Sequence, residues 1–112
     1  MTQPYNSEAE IEAVVRGFEK CTTSKEGFTH REHLTVAVWY IRQSPERALE
    51  NMRKGLLRFL SNHQVDPGKY KEDITVAWMD LTKKTLAELH PGISLLDATN
   101  AVVERLIKVT IH

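Results

Sequence analysis

Apolar residues recur at intervals of three and four positions along most of the chain, and this spacing predicts five α-helices. The clearest stripe is in the first predicted helix, at Ile11, Val14, Val15 and Phe18. Short segments containing glycine or proline separate the helices, which favours antiparallel neighbours in a bundle. The sequence therefore predicts an all-α fold with one domain over residues 1–112, in which residues 1–6 form a loose N-terminal tail.

The second predicted helix begins with a capping box, in which Thr29 is the N-cap and Glu32 stands three residues later. Phe28 precedes the cap, and His33 occupies the position that would pair with it in a hydrophobic staple. The same helix contains a run of residues with β propensity, Val36, Val38, Trp39, Tyr40 and Ile41. The capping box and the flanking helices favour a helix over a strand here.

The third predicted helix has both a start signal and an internal glycine. Ser44 is followed by Pro45, whose fixed φ suits the first position of a helix, so we expect the helix to begin there. Gly55 lies in its middle, where glycine costs roughly 1 kcal/mol relative to alanine. A glycine at this position suggests that a neighbouring helix or an aromatic ring approaches closely.

The charge balance disfavours a nucleic acid or a membrane as partner. The chain has 15 basic and 15 acidic residues, so its net charge is zero and it lacks the basic excess of a nucleic-acid-binding domain. Near-zero net charge also makes a homodimer plausible. The single cysteine, Cys21, excludes an intrachain disulfide, and no apolar signal or membrane-spanning segment is evident. These observations predict a soluble cytoplasmic protein.

The starts of the second and fourth predicted helices carry the residues best suited to chemistry. In an up-and-down bundle these starts lie at the same end, next to the ends of the first and third helices with Cys21 and His63. The residues expected to meet there are His30, His33, Tyr70, Lys71, Glu72, Asp73 and Thr75. Free amide groups and the positive end of each helix dipole would also suit an anionic ligand.

The leading hypothesis is a pocket that binds or transforms a small molecule, anionic ligands included, by acid–base chemistry. His30, His33 and Glu72 are the catalytic candidates, with His33 as the base and Glu72 as the group that orients it. The candidates for binding the substrate are Tyr70, Lys71 and Thr75.

Three alternatives remain open. A divalent metal is the only cofactor considered, with His30, His33 and Glu72 as ligands, although this spacing departs from the usual zinc signature. The histidines can instead be structural, with His33 packed on Phe28, while Glu72 only complements the helix dipole. A protein of a different class would be a non-catalytic interaction module that dimerises through apolar surface on the second or fifth helix.

Two motifs resemble those of a family of small bacterial helical proteins without an established activity. Residues 28–34 read F-x-H-x-x-H-L, and residues 70–75 read Y-K-E-D-I-T, followed by Trp78. The second motif is similar to the family's Y-H-E-T-I-T, and the resemblance covers about half the chain. It implies that the two segments form one polar site. Lys71 replaces a histidine and Asp73 a threonine, so a family metal site using that histidine would be lost or altered here.

Overall fold

The computed structural model describes residues 3–110, which form a bundle of five α-helices. The helices are α1 (Glu8–Glu19), α2 (His30–Gln43), α3 (Ala48–Asn62), α4 (Glu72–Ala87) and α5 (Leu95–Leu106). A short 3-10 helix, Pro67–Lys69, precedes α4. No strand occurs within the described residues, so the all-α prediction is confirmed. None of the helices in this part of the chain is long and apolar enough to cross a bilayer.

Helix α2 lies at the centre of the bundle and packs against each of the other four helices. Its buried residues are Leu34, Thr35, Val36, Ala37, Val38, Tyr40 and Ile41. Five consecutive positions in this set cover all sides of a helix, so this part of α2 has no face turned to solvent. The residues with β propensity therefore form a helix because burial outweighs an intrinsic preference of about 1 kcal/mol or less.

Two apolar clusters flank α2. The first contains Val15 and Phe18 of α1, with Met52 and Phe59 of α3. The second joins α2 to α5, and its buried members are Leu34, Val38, Val102, Val103 and Leu106. Helix α4 takes part in both, since Met79 belongs to the first cluster while Trp78 and Leu81 pack against the second.

The N-terminal segment is held against the bundle by Tyr5, which is 5% exposed. The Tyr5 hydroxyl lies 2.8 Å from the Thr35 hydroxyl, and the side chain of Asn100 bonds both the N–H and the carbonyl of Tyr5. The guanidinium of Arg31 stacks 3.9 Å above the ring. The predicted loose tail is therefore wrong at Tyr5, because an aromatic ring buried with satisfied polar groups is anchored. The first two residues lie outside the described part of the chain.

The third helix begins later than the proline signal predicts. The carbonyl of Ser44 accepts a hydrogen bond from the N–H of Arg47 at 3.0 Å, which closes a turn, and α3 starts at Ala48. Pro45 is equally suited to the second position of such a turn, because that position requires the same φ. The proline signal thus marks the turn between α2 and α3.

The predicted close approach at Gly55 is confirmed. A Cβ atom added to Gly55 would lie 2.6 Å from Cε2 and 2.8 Å from Cζ of Phe18. The Phe18 ring is fully buried and stacks on Phe28 with the ring centroids 4.7 Å apart, so it has little freedom to move away. The missing side chain at Gly55 lets α1 and α3 pack closely.

Gly55→Ala should destabilise the protein, although the same change in an open helix position stabilises it. The gain in helix propensity is about 1 kcal/mol, whereas overpacking a rigid core costs about 1–3 kcal/mol. We expect the free energy of unfolding, measured by urea denaturation, to fall by up to about 2 kcal/mol. Gly92→Ala is the control, because a Cβ there meets only ordinary contacts with His90. A Gly55→Ala variant at least as stable as the parent would contradict this packing.

Candidate functional site

A cavity of about 350 Å³ lies between α2, α3 and α4, and is called here the three-helix cavity. Phe28, which precedes the N-cap Thr29, lines the cavity together with His30, His33, Leu34 and Ala37 of α2. The remaining lining residues are Met52 and Leu56 of α3, with Ile74, Thr75, Trp78, Met79 and Thr82 of α4. The cavity lies where the two apolar clusters meet, since its walls include members of both.

The walls of the three-helix cavity are mostly apolar. The lining residues with polar side-chain groups are His30, His33, Thr75, Trp78 and Thr82, and none of the described lining residues is an aspartate, glutamate, lysine or arginine. Ligand sites typically combine an apolar lining with a few polar groups and have volumes of roughly 300–1,000 Å³. The cavity meets this description at the lower end of the range.

His30 links the start of α2 to the end of α5. Its Nε2 lies 3.2 Å from the carbonyl oxygen of Leu106, the last residue of α5. Because a carbonyl can only accept, Nε2 carries the proton and donates to a group that has no partner within α5. The edge of the ring also contacts Trp78, with the ring centroids 4.4 Å apart. One ring nitrogen of His30 is thus engaged in holding the fold.

His33 forms the predicted staple with Phe28, and their ring centroids are 4.4 Å apart. The pKa of His33 is lowered to about 4, chiefly by burial and also by the nearby His30, while Glu32 opposes both effects. The imidazole is therefore neutral at pH 7.

Thr75 and Thr82 both line the cavity, but their hydroxyl groups differ. The Thr75 hydroxyl donates to the carbonyl of Lys71, four residues earlier, at 3.1 Å. The Thr82 side chain is fully buried, and its Oγ1 has no partner within the described residues. The sequence prediction missed Thr82, although one signal was present. Thr82 follows Trp78 by four positions and so places a hydroxyl on the apolar face of α4.

Glu72 does not join the histidines as predicted. Its carboxylate accepts hydrogen bonds from both Nε and Nη2 of Arg53 on α3, the first at 2.8 Å, and from the Tyr70 hydroxyl at 2.6 Å. These bonds lower the pKa of Glu72 to about 2, chiefly through Arg53. The scheme in which Glu72 orients His33 is therefore corrected, because an exposed arginine on α3 takes both carboxylate oxygens.

The other residues predicted to meet at this end lie outside the cavity lining. Lys71 and Asp73 are exposed, and the Asp73 carboxylate accepts from the N–H of Ile74 at 3.0 Å. The Cys21 thiol lies 3.8 Å from the carbonyl of Arg58, and His63 packs on a neighbouring aromatic ring. Of the six predicted site residues, the cavity brings together His30, His33 and Thr75 and leaves out Tyr70, Lys71 and Glu72.

The predicted metal site is not assembled. Within residues 3–110, no three histidine, cysteine, aspartate or glutamate side chains are grouped closely enough to hold a metal ion. His30 and His33 share a wall of the three-helix cavity, but Glu72 is turned toward Arg53. Two imidazoles without a third ligand fall short of the coordination that a bound divalent metal requires.

Little apolar surface is exposed for a partner. In the described part of the chain, the large hydrophobic residues that are most exposed are Leu57 and Val109, each 38% exposed. The sequence predicted dimerisation through apolar surface on α2 or α5. Helix α2 lies at the centre of the bundle and offers little such surface. The homodimer stays a prediction, because the exposure of Leu57 and Val109 neither supports nor contradicts it.

Comparison with known proteins finds no matching family model, no similar curated protein and no similar solved structure. The resemblance of residues 28–34 and 70–75 to motifs of a bacterial helical family therefore stays a prediction. The geometry of the three-helix cavity is therefore the main indication of function.

The lowered pKa of His33 predicts a specific pH dependence. Between the ordinary value of 6.5 and about 4, the unfolded chain binds a proton at His33 that the folded protein does not. The contribution of neutral His33 to the free energy of unfolding is therefore fully present above pH 6.5. It falls by up to about 3 kcal/mol as the pH drops to 4. His33→Gln cannot titrate, so its free energy of unfolding should fall less over this interval.

The measurement is urea denaturation of both proteins at several pH values, with an NMR titration of the His33 ring in the parent. Carboxylates titrate equally in both proteins, so the difference between them isolates His33. A His33 titration midpoint near 6.5, or parallel stability curves, would show that the imidazole is not buried as described.

Proposed function

We propose that the protein binds a small, neutral and largely apolar molecule in the three-helix cavity. The observation that carries this proposal is the cavity itself, whose lining within residues 3–110 is mostly apolar, with a few hydrogen-bonding groups and no charged side chain. A cavity of about 150 Å³ lined by aliphatic and aromatic residues holds benzene. A volume of about 350 Å³ therefore suits a molecule of roughly bicyclic size.

Neutrality of the ligand follows from the electrostatics of the walls. An anion would have to leave water for a site in which His33 is uncharged at pH 7, and Lys71 stands outside. A cation would meet no carboxylate, because Glu72 is bound to Arg53. Burying an unpaired charge in such surroundings costs several kcal/mol. This cost outweighs the attraction that the N-terminal ends of the helix dipoles would exert on an anion.

Binding is a better description than acid–base catalysis. A general base is most effective when its pKa lies near the working pH, and a value of about 4 makes His33 a weak base at pH 7. None of the described lining residues carries a carboxylate that would raise that value further or orient the ring. Neutral His33 is instead suited to accept or donate a hydrogen bond to a ligand.

The test uses naphthol as a neutral bicyclic probe and naphthoate as its anionic counterpart. Naphthol should bind the protein and shift the NMR signals of the Trp78 indole and the His33 ring, both of which line the cavity. Naphthoate at pH 7 should bind at least about tenfold more weakly, because a tenfold difference requires only about 1.4 kcal/mol of the desolvation penalty. Binding of naphthoate as tight as that of naphthol would contradict the proposal.

A matched pair of variants on α3 locates the binding site. Leu56 lines the cavity, whereas its neighbour Leu57 is exposed and does not. Leu56→Trp should fill part of the cavity and weaken naphthol binding, and Leu57→Trp should leave it unchanged. Glu72→Gln should also leave it unchanged, since Glu72 contacts Arg53 instead of the cavity. Equal effects of the two tryptophan variants would place the probe elsewhere.

A further inference from the structure

We infer that the ligand carries one hydroxyl or carbonyl group, which forms a hydrogen bond with Thr82 at the closed end of the three-helix cavity. This inference rests on the proposed function and deepens it by naming the chemical group that the site recognises. Its basis is the Thr82 hydroxyl, which is fully buried and has no hydrogen-bond partner within residues 3–110.

Thr82 differs from three other helical threonines and shares the lack of a partner within the described residues with Thr99, which lies outside the cavity lining. The hydroxyls of Thr35, Thr75 and Thr85 each donate to the carbonyl four residues earlier, at 2.8 to 3.1 Å. That bond is the usual arrangement for a threonine inside a helix, and it satisfies the donor locally. The Thr82 hydroxyl makes no such bond, so both its donor and its acceptor capacity are unused within the described residues.

The burial of the lining residues gives the direction of the cavity. The solvent side of the cavity is formed by its half-buried lining residues, which are His30, His33, Leu56, Ile74, Thr75 and Trp78. Met52, Met79 and Thr82 are buried and lie away from solvent. A ligand that enters from the half-buried side therefore presents its leading end to the buried residues, among them Thr82. We accordingly assign the hydrogen-bonding group to the leading end and the apolar body to the half of the cavity near solvent.

The energetics favour a ligand with such a group over a hydrocarbon. A hydrocarbon that reaches the closed end keeps Thr82 away from water and leaves its hydroxyl unsatisfied, whereas a hydroxyl or carbonyl on the ligand pairs with it. A site with a buried polar group discriminates strongly against analogues that lack the complementary group. Thr82 is thus the residue expected to determine specificity.

The experiment compares naphthol with naphthalene on the parent protein, Thr82→Val and Thr99→Val. Valine has nearly the shape of threonine without its hydroxyl, so each variant removes one group. Thr99 on α5 is a matched control, because its hydroxyl is also fully buried and unpartnered among residues 3–110 but does not line the cavity. Melting temperatures that are unchanged or raised would show that both variants fold.

We expect Thr82→Val to weaken naphthol binding by about three- to tenfold, the usual range for one hydrogen bond, while naphthalene binds as well or better. Thr99→Val should change neither affinity. If Thr82→Val alters the two affinities by the same factor, the assigned role of Thr82 is overturned while the proposed function stands. If the parent binds neither probe, the proposed function itself fails.

Discussion

The burial of residues 34–38 of α2 on every side is the constraint on which the rest of the structure depends. A helix with no solvent face needs neighbours all round, and the other four helices are arranged to supply them. Its β-branched and aromatic residues fill two separate apolar clusters instead of one continuous core. Helix α4 contributes side chains to both clusters. These side chains do not fill the space between the two clusters, and that space is the three-helix cavity.

Much of the fold follows from the sequence because its signals are local. A capping box joins residues three positions apart, so the sequence alone predicts that Thr29 and Glu32 form one. The staple between Phe28 and His33 is predicted for the same reason, because its two residues are also close in sequence. Gly55 is a different kind of success. A glycine that lowers helix propensity is informative because only a close contact compensates for it, and the contact is Phe18.

The candidate site was predicted less well because its geometry is not local. The expectation that Glu72 meets the histidines assumed that the start of α4 lies beside the start of α2. Glu72 instead pairs with Arg53, which lies about two and a half turns before the C-terminal end of α3, the end that the prediction required. Nothing in residues 70–75 specifies that arginine. Thr82 was missed for a related reason, since an apolar stripe does not reveal which of its threonines lacks a partner.

The position of Thr82 in the lining of the three-helix cavity offers a reason for its unsatisfied hydroxyl, which packing alone does not explain. A buried hydroxyl without a partner destabilises a protein by about 1–3 kcal/mol, and the bond to the preceding turn would remove much of that penalty. Thr85, one turn further along α4, makes that bond, so the backbone of this helix permits it. Thr82 instead has no partner within the described part of the chain, and it lines a space large enough for a ligand. A ligand group that pairs with Thr82 would recover on binding the stability that the unpaired hydroxyl removes from the free protein.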